Sequence, residues 1–208
     1  YFDRTTMRDG NTGKFIVNLQ FLKEPSVLGD SKKKAIRRFL FLERRFDKDS
    51  ELKNEYVTFL REYERLGHME EVPFRSVTNE NYFIPHHAVR NPSSSTTKFR
   101  VVFDGSAKTT SGIALNEILA NGPMLQEDLF SILVRFRTHP VVVTADITKM
   151  YRQVEVTESH QKWQMIVWRE NASDPLRFYK LKTLTYGLTC SSYLAIKSLQ
   201  TLADEYKN

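Results

Sequence analysis

Val141-Val142-Val143-Thr144-Ala145-Asp146-Ile147-Thr148-Lys149-Met150-Tyr151 begins with an unbroken, mostly apolar run and presents a carboxylate straight after it. A run without the polar-apolar alternation of a half-exposed strand is the pattern of a strand covered on both faces. The exit of such a strand is a rigid mount, where Asp146 could hold a metal ion in a fixed position. Taken alone, the segment reads more readily as a strand-end Asp capping a turn.

Downstream, strand signals continue through Gln153–Val156 and Trp163–Trp168, then through the alternating Arg177–Lys182 after the turn from Asn171 to Pro175. The last two are expected to pair as a hairpin. A closing amphipathic helix should turn Tyr193, Ile196, Leu199, Ala203 and Tyr206 inward.

Upstream, Asn121-Gly122-Pro123 opens a helix with Leu125, Leu129, Ile132, Leu133 and Phe136 on one side, and His139-Pro140 closes it. Tyr82-Phe83-Ile84 and Phe99–Phe103 read as a two-strand ribbon around the polar loop Asn91–Thr97. Its flanking Arg90, Lys98 and Arg100 suit contact with phosphate, although an ordinary hairpin reads the same way. Ala35, Phe39, Leu42 and Phe46 recur at helical spacing after Ser31. A second helix follows a Ser50 cap, with Leu52, Tyr56, Phe59, Tyr63 and Leu66 inward and Gly67 at its end. Residues 1–30 read as a connector with one strand at Phe15–Leu19. The picture is α+β with a mostly antiparallel sheet.

The 208 residues carry 31 Lys/Arg against 25 Asp/Glu, a net charge of +6 and a pI near 9.3, which permits a polyanionic partner without requiring one. Eight of the basic residues fall between Lys32 and Lys48, relieved only by Glu43 and Asp47, a run that also fits a solvated helix face. No stretch of ~18 apolar residues occurs, so no membrane span is expected. The opening Tyr1-Phe2-Asp3-Arg4 has no initiator Met or signal core, which suggests a chain cut from a polyprotein rather than a secreted one. The single Cys190 forms no internal disulfide, in keeping with an intracellular compartment, and a packing role suits it. His86 and His87 would point to opposite faces of a strand, and His68, His139 and His160 have no partner at zinc-ligand spacing.

The chain resembles the reverse transcriptases of long-terminal-repeat retrotransposons, most closely the BEL/Pao group. The matches run in order: Leu28–Ser31, Arg37–Leu40 with Leu42–Arg45, Glu62-Tyr63, Leu66–Met69, Tyr82–Val89, Arg100–Ser106, Leu115-Asn116, Gly122-Pro123 and the Asp146 segment. The resemblance implies a right-hand polymerase: a connector over 1–30, a helical pair over 31–70, fingers and palm entry over 71–140, and an incomplete palm over 141–208. It makes Asp146 the first metal-binding, catalytic aspartate, with Mg²⁺ (or Mn²⁺) as cofactor. Ile147, Tyr151, Tyr186, Gly187, Arg100 and Lys98 become nucleotide-binding, and Arg90 and Lys98 become nucleic-acid-binding. Tyr151 matches the bulky residue that crowds the sugar 2′ position; as a plain reading it is also a core aromatic. Tyr186 stands where relatives often carry Gln or Phe.

The implied partners are an RNA or DNA template-primer, a deoxynucleoside triphosphate, and the protease, RNase H and integrase segments of a polyprotein. The implied location is the cytoplasm, within virus-like particles. The family completes its metal site with a downstream Tyr-Xaa-Asp-Asp hairpin, and no Asp-Asp pair occurs in these residues. Polymerisation by the isolated chain is therefore not expected, and a non-catalytic remnant that binds nucleic acid is the alternative.

Overall fold

The computed structural model describes residues 1–91, 93 and 99–206. Its centre is the helical pair. Helix α2 (Lys32–Phe46) buries Ala35, Phe39, Leu42 and Phe46, the face the spacing predicts. Helix α3 (Ser50–Arg65) buries Leu52, Tyr56, Leu60 and Tyr63; Phe59 is only partly covered and Leu66 is exposed. Its cap is Asp49 rather than Ser50, the carboxylate accepting the Leu52 N–H at 2.8 Å. At its far end Gly67 takes φ +72, and the Gly67 and His68 amides donate to the Glu64 and Tyr63 carbonyls, which closes the last turn.

The pair packs on a three-stranded antiparallel sheet. Strand β3 (Met69–Val72) lies beside β8 (Arg177–Leu181), and β8 beside β7 (Met165–Trp168), with Met165 opposite Lys180 and Trp168 opposite Arg177. The expected β7–β8 hairpin is present. All four β7 residues are buried, and Trp168 stacks on Tyr56 with centroids 5.4 Å apart. Aromatic burial of this kind supplies most of the area that holds α2 and α3 to the sheet.

A second sheet joins β1 (Met7–Arg8) antiparallel to β2 (Phe15–Val17) and β2 parallel to β6 (Glu155–Val156). The sheet system is therefore not wholly antiparallel. Phe2, in the short helix α1 (Phe2–Thr5), and Phe15, Val17 and Leu19 belong to the same core cluster as α2 and α3. The expected strand over Gln153–Val156 shortens to β6 because Met150–Gln153 coils into a 3-10 turn. A short helix α5 (Glu158–Gln161) leads from β6 to β7.

The ribbon is β4 (His86–Arg90) against β5 (Phe99–Phe103), so its first strand begins after Pro85. Tyr82–Ile84 is instead a buried extended piece that meets β7 through a single bridge at Phe83–Met165. His86 and His87 do face opposite ways, His86 into the core and His87 partly outward.

Two expectations fail around position 141. The helix α4 (Leu129–Phe136) starts later than the Asn121 turn, is capped by Asp128, and buries no residue. Val141–Ala145 is not a strand, and Val141 and Val143 are 79% and 85% exposed. A strand covered on both faces needs neighbours, and among the described residues none pairs with this run. The last helix, α6 (Ser191–Glu205), is also rotated from the expected face: Ser191, Leu194, Ala195 and Ser198 are buried, while Leu199, Ala203 and Tyr206 are exposed. Small residues face inward there because the helix seats closely on the core.

Candidate functional site

The turn that leaves β8 gathers most of the expected site. Thr183, Leu184 and Thr185 are buried, Tyr186 emerges, and Leu188 and Cys190 return to the core. Gly187 sits at φ +96, and a Cβ there would overlap the Phe103 carbonyl oxygen. Asn116 clamps the turn: its Nδ2 donates to the Gly187 carbonyl at 2.8 Å, its Oδ1 accepts from the Thr189 amide at 3.0 Å, and its own amide donates to the Gly105 carbonyl. Both faces of one side-chain amide are thereby used, which fixes the turn against the end of β5.

Tyr151 packs against Tyr186 with ring centroids 4.3 Å apart, and its hydroxyl lies 2.7 Å from Ser192 Oγ. The ring is thus held at both ends. It rides on the 3-10 turn whose cap, Lys149, has φ +54, an uncommon conformation for a non-glycine residue, and Lys149 pairs with Glu62 of α3.

Arg152, next in the chain, is 8% exposed. Its guanidinium lies 4.3 Å over the Tyr63 ring and 5.1 Å over Phe59, with Glu62 Oε1 3.6 Å from Nη1. Nε and Nη1 find no hydrogen-bond acceptor, so aromatic faces carry much of the compensation for its burial. Sequence reasoning passed over Arg152 and named Asn116 only within the matched Leu115-Asn116 pair, with no role. Arginine is seldom this buried, and no periodic pattern marks either residue.

Around Tyr186 the charges converge. Burial lifts its hydroxyl above the usual phenol range; the fields of Arg152 and Arg100 oppose the rise, and those of Tyr151 and Asp146 add to it. Asp146, Arg100 and Tyr151 thus each act on the Tyr186 hydroxyl. Asp146 is exposed, on the irregular segment before the 3-10 turn, and Arg100 projects from β5 to the solvent side. Ile147 is 40% exposed and lines, with Phe15, Met150 and Leu202, a cleft of about 280 Å³ on the far side of that turn.

Arg90 stands apart. Its guanidinium meets Asp49 at 2.9 Å, Glu55 at 2.7 Å and Glu51 at 3.6 Å, so three carboxylates of the α3 start tie it to the helix. Its charge is balanced within the chain. Lys98 lies outside the described residues.

Asp146 offers a metal ion one exposed carboxylate, and among the described residues no three His, Cys, Asp or Glu side chains cluster as a ligand set. Mg²⁺ accepts so sparse a protein contribution when water and substrate phosphate complete its shell. The residues fit one part of such a site.

No protein-family model matches the chain, and no curated protein matches it.

Proposed function

We propose that the chain is the fingers and first half of the palm of an RNA-directed DNA polymerase, a nucleotidyltransferase segment from a BEL/Pao-type retrotransposon polyprotein. The observation that carries the reading is the contact of Tyr151 with Tyr186 beside the Gly187 turn, where the charges of Asp146 and Arg100 also act on the Tyr186 hydroxyl. These residues come from three stretches of sequence: the Asp146 segment supplies Asp146 and Tyr151, β5 supplies Arg100, and the turn after β8 supplies Tyr186.

In this reading Arg100 holds the triphosphate of an incoming deoxynucleotide through its planar pair of donors. Gly187 lets the turn close against the Phe103 carbonyl, and Tyr186 presents an aromatic face to the nucleotide. Tyr151, braced by Tyr186 and Ser192, crowds the sugar so that a 2′-hydroxyl clashes. Asp146 holds Mg²⁺, which when bound stabilises charge on the attacking and leaving oxygens. The isolated chain binds template-primer and does not extend it.

The second reading, a remnant that only binds nucleic acid, uses the same residues, so this sequence does not separate the two. Reading the transcript past the codon for Asn208 separates the two. An open frame that reaches Tyr-Xaa-Asp-Asp within a few tens of residues supports the polymerase, and a stop codon or a disrupted Asp pair supports the remnant.

A further inference from the structure

The outer face of α2 is a basic surface that the Asp146 site does not use. Arg37, Phe41 and Arg45 follow one another at a spacing of four, one turn apart, so they form a stripe along the helix. All three are exposed, Phe41 at 65%. The stripe borders a groove of about 500 Å³ between α2 and β4, with Arg38 and His87 on its floor.

Two carboxylates near this stripe are already held in ion pairs. Glu43 faces the other side of the helix and takes Arg169 in a two-pronged pair at 2.7 and 2.8 Å. Asp104 is engaged by Arg38. Among the described residues neither Arg37 nor Arg45 has an ion-pair partner. The His87 ring is held below its ordinary pKa, first by burial and then by the charge of Arg38, and its Nδ1 has no hydrogen-bond partner.

We infer that this groove binds a short stretch of single-stranded nucleic acid, with a base stacked on Phe41 and phosphates on Arg37 and Arg45. An exposed aromatic ring between two free guanidinium groups matches the alternation of base and phosphate along an unpaired strand. Arg37 and Arg45 are about 12 Å apart along the helix axis, a span of a few nucleotides. A membrane surface fits less well, because the apolar face of α2 is already buried by the core and only Leu40 and Phe41 are left exposed to insert. An acidic peptide would leave the ring without a stacking partner. The groove makes no use of Asp146, so its binding stands or falls apart from polymerase activity.

The test is fluorescence anisotropy of a labelled oligouridylate with the full chain in EDTA, across a salt series. Arg37→Gln/Arg45→Gln should weaken binding and flatten the log–log salt slope by about 1.4, two contacts at about 0.7 each. Phe41→Ala should weaken binding roughly tenfold with the slope unchanged, and Phe41→Trp should restore it. Lys23→Gln/Arg75→Gln, which removes the same charge elsewhere, should leave the slope in place. Equal binding by parent and groove variants overturns the inference. A neutral Phe41→Ala overturns it too, as does groove-dependent binding to phosphatidylserine vesicles in place of the oligonucleotide.

Discussion

A methyl group at position 187 would meet the Phe103 carbonyl oxygen on a backbone already at φ +96. Gly187→Ala should therefore lower stability by about 2 kcal/mol or more, read as an earlier urea midpoint at unchanged slope. An unaltered midpoint would mean that the turn is not held as described. His68 and His86 make a second residue-scale prediction, since burial first, and then nearby cations, draws each ring down to about 4 from 6.5. Both are neutral when folded, whereas the unfolded chain takes up protons near 6.5. The stability is whole above that pH and is lost as pH falls toward 4, at up to about 1.4 kcal/mol per unit for each ring. Melting temperatures should drop between about pH 7 and 5, and a flat profile there would contradict the neutral rings. Sequence marked Gly187 and Tyr151 through the motifs around them. It gave no sign of Arg152, whose burial depends on Tyr63 and Phe59 arriving from a distant helix.

At the scale of elements, α2 and α3 were legible because each has a one-sided apolar pattern and one core to face. Helix α6 was read on the wrong face. Its pattern is weakly one-sided, and close seating on the core selects Ala195 and Ser198 over Leu199 and Tyr206. The start of α3 offers a direct test, because Asp49 both caps the helix and pairs with Arg90. Asp49→Ala should cost about 1 kcal/mol through the cap, with Arg90 keeping Glu55 as a partner, and Asp49→Asn should recover most of the loss. If the Asn variant melts with the Ala variant, the ion pair outweighs the cap.

Across the whole molecule, the core gathers residues from Phe2 to Ala195, while the stretch from Met124 to Ile147 leaves Met124, Phe130, Val141 and Val143 exposed. An unbroken apolar run without alternation predicts coverage, and sequence alone could not say that the covering strand would be missing from the described residues. The central claim is tested most directly by expressing the chain together with the residues encoded downstream and following primer extension on an RNA template with Mg²⁺. The account predicts extension by the longer chain and none by its Asp146→Asn variant, which should still bind template-primer. Extension that survives Asp146→Asn, or a longer chain that carries the Asp pair and folds but cannot extend, would contradict it.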